Sequence, residues 1–200
     1  MKRNVFHITD KEELANRYLR LKLSVPFAAD ALAGNYVTLE GNAPCYLMSQ
    51  NKEEIELLLS PSLRDLIQPA QQLAISELQG FPLPLPQKQQ FTLVIVEPEG
   101  LSACLFYLKK FRADFNGFIL IGAEENFPFL PCPSRQLIAG IPAEVIAAVP
   151  LLEDWSIPNR LASLKEIPGV FHGQVETLAE IWEARTSIHD IQKISIPRLA

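Results

Sequence analysis

The sequence predicts a β domain followed by an α/β domain, on three observations. Residues 1–86 hold about six short strands separated by turn residues, the pattern of a small barrel or sandwich. Residues 91–200 open with a strand–helix–strand unit, which implies a parallel sheet. Between them lies GFPLPLPQKQQ, Gly80 to Gln90. Its alternating prolines prevent helix and disfavour a central strand, and its polar end is a natural connector, so the domain boundary is placed there.

The β half is justified strand by strand. Asn4–Thr9 has β-rich character. Tyr18–Val25 alternates strictly: Leu19, Leu21, Leu23 and Val25 on one face, Arg20, Lys22 and Ser24 on the other. That period of two belongs to a half-buried antiparallel strand. Gly34-Asn35 turns into Tyr36–Leu39, and Gly41-Asn42 turns into Cys45–Ser49. Ile55–Leu59 follows a charged turn, Leu63–Ile67 fits a short helix or turn, and Leu73–Leu78 is a further strand.

The α/β half is organised around Phe91–Glu125. Phe91–Val96 is a continuous apolar run, as in a strand buried on both faces. Pro98 and Gly100 make a turn of Glu97–Gly100. From Leu101 the spacing is helical. Leu101, Leu105 and Leu108 share a face with Cys104 and Phe111 beside them, and Lys109, Lys110 and Arg112 suit the negative end of the helix dipole. Asn116-Gly117 leads into Phe118–Ile121, ending at Gly122. Ligands of parallel sheets sit beyond the carboxyl ends of the strands. The candidate site is therefore Glu97–Ser102 with Gly122–Glu125.

Further along, Phe127–Pro133 reads as a Pro-rich loop and Gln136–Ala139 as a short strand ending at Gly140. A helix is expected from about Ala143, with Pro142 in its first turn, bending or stopping near Pro150. A turn is expected at Pro158-Asn159. Gln174–Ala184 is amphipathic, with Val175, Leu178, Ile181 and Trp182 on its apolar face. Ser187–Ala200 shows no clear period.

Composition removes several function classes. The 200 residues are 48% hydrophobic and 20% charged, which is globular. A formal net charge of −5, with scattered Lys and Arg, argues against nucleic acid as a partner. No apolar stretch reaches the roughly 18 residues of a membrane span. The N-terminus, MKRNVFHITDKEEL, lacks the apolar core of a signal peptide, so a cytoplasmic location is expected. Cys45, Cys104 and Cys132 form no CxxC pair and read as buried thiols. His7, His172 and His189 have no metal-ligand spacing, so no metal site and no catalytic residue is assigned.

Five segments carry a family resemblance. They are Gly34–Val37 with Ala43–Ser49, Gly80–Leu83, Glu97–Ala103 after an apolar strand, Gly122–Glu125, and Ala139–Pro142. In this order they resemble the ferredoxin reductase-like superfamily, in which a flavin-binding barrel precedes a pyridine-nucleotide domain. In size and strand spacing the chain looks nearest to the electron-transfer subunit of dihydroorotate dehydrogenase. Siderophore-interacting flavin reductases are more distant. The resemblance implies that residues 1–86 are a six-stranded antiparallel β-barrel of flavin-binding type. It implies that residues 91–200 are an NAD(P)-binding-like α/β domain. Tyr46 would pack on the isoalloxazine ring, and Tyr46, Ser49, Gly100, Leu101, Ser102 and Gly122 are the cofactor-binding residues that it offers.

Most ligand-handling positions of the family pattern are replaced here. Pro44 stands where an Arg holds the flavin pyrophosphate, and Leu47 stands for a Ser. The glycine-rich nucleotide loop is Glu97-Pro98-Glu99-Gly100, where only Gly100 matches. Glu124 reverses the charge of a basic residue, and Ala139 replaces a Cys near the nicotinamide. Residues 133–200 hold no cysteine, so the [2Fe–2S] centre of the electron-transfer subunits has no ligands there. The expected function is a non-catalytic relative that binds a protein partner or another ligand, with no cofactor. The alternative is a flavin-dependent NAD(P)H oxidoreductase using FAD or FMN through atypical contacts. Oligomeric state is left open.

Overall fold

A computed structural model of the protein describes residues 3–39, 43–87 and 90–199, without the side chains of Ala29 and Leu66. The turn expected at Gly41-Asn42 and the Lys88-Gln89 part of the connector lie outside the described residues. The chain groups into two compact units. One is the chain up to Leu83 with Glu99–Lys110 and the last residues from Arg198; the other is Pro84–Pro98 with Phe111–Pro197.

The first unit is a nearly closed antiparallel barrel. Its strands are β1 (Arg3–Glu13), β2 (Leu19–Ser24), β3 (Tyr36–Thr38), β4 (Pro44–Gln50), β5 (Glu54–Leu59) and β6 (Gln72–Ser76), in the order β3-β4-β5-β2-β1-β6. The alternation of β2 sets the inside. Leu19, Leu21 and Leu23 are fully buried opposite Leu59, Leu57 and Ile55, while Arg20 pairs with Glu12 and Lys22 with Asp10 on the outside. The two ends of the sheet meet through a Tyr36–Gln79 bridge and a 2.9 Å bond from the Thr38 N–H to the Ser76 hydroxyl. Gly80–Leu83 then folds back on Gly34. Both glycines have positive φ, and a Cβ on Gly34 would stand 2.5 Å from the Phe81 carbonyl oxygen. This close approach draws the two ends of the barrel together. Helix α1 (Pro61–Ile67) begins on a proline at its first turn.

The second unit is built on five parallel strands: β7 (Phe91–Val96), β8 (Gly117–Ala123), β11 (Asn159–Ser163), β12 (Phe171–His172) and β13 (Ile191–Ile196), in the order β12-β11-β8-β7-β13. Two short strands, β9 (Cys132–Pro133) and β10 (Ala147–Ala148), pair with each other. Helix α4 (Val175–Glu183) covers one face. Its Val175, Leu178, Ala179 and Trp182 join Leu93, Phe118, Leu120 and Ala162 of the sheet in a single apolar core. Ile181 of the expected apolar face is only partly buried. Helix α2 (Leu101–Phe111) follows β7 in the chain and is buried on every side from Leu101 to Leu108, a wider burial than the expected stripe.

Four features after residue 133 differ from expectation. Gln136–Ala139 is a loop, because its carbonyls are taken by side chains: Gln136 O accepts from Arg160 and Ala139 O from Trp182. No helix runs from Ala143. Pro142–Val145 is a turn, β10 follows, and the helix α3 (Pro150–Asp154) starts at Pro150. Proline fixes the φ that a first helical residue needs, so it opens this helix where it was expected to stop one. Asn159, expected in a turn, begins the buried strand β11. The tail supplies the six-residue edge strand β13, in register with all of β7 from Ile191–Phe91 to Ile196–Val96. Among the described residues no helix is long and apolar enough to cross a membrane.

Candidate functional site

In the first unit, β4 carries the two barrel residues singled out above. Tyr46 lies opposite Tyr36 in register, their rings meeting edge-on at 6.3 Å. It is only 6% exposed, and Cys45, Leu47 and Met48 beside it are buried too, so both faces of β4 are covered by protein. A β-bulge lies between Leu47 and Ser49. Beyond it the Ser49 hydroxyl donates to the Glu56 carboxylate, which also receives Lys109 of α2 at 3.2 Å. Ser49 is thus engaged in a strand-to-helix network of the unit.

Burial pushes the Glu56 carboxyl up, but Ser49 and Lys109 outweigh it and hold the group below its usual 4.5. A lowered value in the folded chain means that stability is present above about pH 4.5 and is lost as the pH falls through the lowered value. Glu56→Gln is therefore expected to lose less stability than the wild type between pH 7 and pH 3.5, read as urea midpoints at both values. Equal losses would remove Glu56 from the account.

The turn ahead of α2 is strained and acidic. Glu99 has φ 78°, a left-handed conformation costly for any residue but glycine. Its carboxylate lies 3.7 Å from Arg198. The carbonyl of Gly100 accepts the first helical bond, from the Cys104 N–H at 3.1 Å. Gly100, Leu101 and Ser102 are buried, as is Ala103 after them. Glu99 also reaches Cys45 of β4 electrostatically. Burial first, and this carboxylate second, push the Cys45 thiol up to about 12, so it is no nucleophile at neutral pH. Cys104 is likewise raised to about 12 by burial.

In the second unit, Gly122 sits near the carboxyl end of β8, and a Cβ there would meet Val175 at 3.0 Å. Its lack of a side chain lets α4 approach the sheet. Glu97 directly follows β7 and its N–H donates to Ile196 O of β13 at 3.0 Å. From β7 the sheet grows one way to β8, β11 and β12 and the other way to β13, so Glu97 stands at the topological switch point, where such sheets place their ligands. Next along the sheet, the Ser163 hydroxyl donates to Glu125 O at 2.9 Å.

One polar constellation was not legible in the sequence. Glu153 of α3 is 4% exposed and accepts from the Ser134 hydroxyl and the Arg135 N–H, both at 2.8 Å, and from Asn159 at 3.4 Å. Arg160 is equally buried and donates to the carbonyls of Asn159 and Gln136, both at 2.6 Å. Burial lowers the Arg160 guanidinium, and Glu153 partly offsets this. The cluster ties the 134–136 loop to α3 and β11. Among the described residues no group of three His, Cys, Asp or Glu is arranged to hold a metal ion.

No family model matches the sequence, and no curated protein matches it. Solved structures do. The chain is similar to a siderophore-interacting protein from Acinetobacter baumannii, with a TM-score of 0.61 at 13% identity over 98% of this chain and 78% of that one. It is similar to the flavohem-like FAD/NAD binding domain of a nitric oxide dioxygenase from Vibrio cholerae, at 0.57 and 11% over 96% and 98%. A third likeness is to an NADH-dependent reduced ferredoxin-NADP oxidoreductase, at 0.59 and 12% over 96% and 68%. The fold is ferredoxin reductase-like. At these identities the likeness carries the fold and leaves the chemistry to the residues.

Proposed function

We propose that this chain is a ferredoxin reductase-like scaffold that binds a protein partner or a different ligand and has given up flavin and dinucleotide chemistry. The observation that carries this reading is the turn before α2. A pyrophosphate at a helix N-terminus needs open N–H groups and a positive end. Here residues 100–103 are buried, Pro98 has no N–H, and two carboxylates flank the turn. The burial of Tyr46 against Tyr36 supports the same reading for the isoalloxazine face of the barrel.

Two of the similar structures are described as an FAD/NAD binding domain and as an NADH-dependent oxidoreductase, and Tyr46 keeps the aromatic position of the family pattern. A flavin-dependent NAD(P)H oxidoreductase with atypical contacts is therefore the competing reading. Incubation with FAD followed by gel filtration separates the two. The scaffold reading expects colourless protein. Stoichiometric flavin absorbance in the protein peak would replace it with the oxidoreductase.

A further inference from the structure

The second unit has a cavity at the end of its sheet opposite the switch point. It occupies about 300 Å³ beside Phe91, Gly117 and Phe118 at the starts of β7 and β8, and beside Pro158 just before β11. Trp182 of α4 and Ile138 complete an apolar wall. The volume is at the small end of the range for ligand pockets, enough for a single ring or a short branched chain.

Three observations give the cavity a chemical preference. The first is aromatic lining: Phe91 and Trp182 stack at 5.9 Å, and Phe118 meets Trp182 edge-on at 4.7 Å. The second is Arg185, which lines the cavity just past the end of α4. Every other described arginine has a partner. Arg17, Arg20, Arg64, Arg135 and Arg198 lie against carboxylates, Arg112 lies over Trp155, Arg160 binds carbonyls and Arg3 is also engaged. Arg185 has no hydrogen bond or ion pair through its guanidinium with any described residue, and no carboxylate lines the cavity. The third is exposed apolar surface at the rim, where Leu137 is 100% exposed and Ile188 37%.

We propose that this cavity is a binding site for a small aromatic or branched aliphatic carboxylate. The apolar body lies against Phe91 and Ile138, the partly exposed part of the wall, at the rim formed by Leu137 and Ile188. The carboxylate takes the planar fork of Arg185, a geometry suited to bidentate pairing. The hydroxyls of Thr186 and Ser187 beside it are additional donors. Arg185 also offsets the negative end of α4, and that bland role needs no cavity. The site is at the amino ends of the strands, so it stands or falls independently of the flavin and dinucleotide reading.

The test uses the whole chain with phenylacetate as probe, followed by ligand-observed saturation-transfer NMR and a shift titration. Saturable binding is expected, weakened about tenfold or more in Arg185→Gln, the loss set by one charge-assisted pair. Phenylacetamide, with the same ring and no charge, should bind as weakly to the wild type as phenylacetate binds to the variant. Arg185 is exposed, so the variant should keep the wild-type melting temperature. No saturable binding of phenylacetate, or binding that Arg185→Gln leaves unchanged, overturns the proposal.

Discussion

Trp182→Ala is expected to cost the second unit about 3–5 kcal/mol, the range for removing a large buried aromatic. The indole is 2% exposed, packs on both Phe91 and Phe118, and donates from Nε1 to Ala139 O at 3.0 Å. Its loss opens a cavity where α4 meets the sheet and leaves the Ala139 carbonyl without that donor. The measurement is urea unfolding followed by the fluorescence of Trp155, which belongs to the same unit and is retained in the variant. A loss of about 1 kcal/mol or less, the size of a surface change, would contradict the central place given to α4 in this core.

The second large effect is expected at Glu153. Breaking a buried charge network by removing one member costs about 3–5 kcal/mol, because the remaining members keep their desolvation penalty. Glu153→Ala takes the acceptor from Ser134, from the Arg135 N–H and from Asn159, and removes the negative charge that offsets buried Arg160. Glu153→Gln keeps a side-chain carbonyl and should cost less. Adding Arg160→Met to Glu153→Leu should cost more than Glu153→Ala, since the Asn159 and Gln136 carbonyls then lose their donors as well. The same urea titration reads all three. A double variant no worse than Glu153→Ala would contradict the part given to Arg160 in this cluster.

How much of this was legible depended on whether side-chain pattern or distant hydrogen bonding decides an element. β2 was legible because its apolar side chains alternate without interruption, and β7 because it is apolar throughout. β11 was not. It opens with Asn159 and Arg160, which read as surface residues yet are 0% and 4% exposed, because Glu153, Ile157 O and Gln136 O satisfy them. β13 was hidden for another reason. It is an edge strand with Ile194 and Ile196 buried and Lys193 and Ser195 exposed, and its partner β7 lies about a hundred residues earlier. Pro150 was read as a stop because proline breaks helix interiors; only the chain before it shows that it stands at a start.

At the candidate site, the replaced residues were plain in the sequence, and their consequences required the fold. Glu99 is visible in the sequence as a departure from the glycine-rich loop, but its positive φ and its approach to Arg198 and Cys45 emerge only when the turn is built. Gly122 looked like a glycine of a ligand turn. In the folded unit it accommodates Val175, which no local pattern announces.

On the reading proposed above, the turn Glu97–Gly100 does not receive a dinucleotide pyrophosphate. Two unit charges about 4 Å apart repel by about 4 kcal/mol at an effective dielectric near 20, and Arg198, 3.7 Å from Glu99, offsets part of this. The helix end offers an anion at most about 2 kcal/mol. The direct measurement is calorimetric titration of the whole chain with NADH and NADPH, beside the variant Glu97→Gly/Pro98→Gly/Glu99→Thr. No wild-type binding is expected, with any binding confined to the triple variant. Micromolar wild-type binding, abolished by a bulky replacement of Gly100, would contradict it.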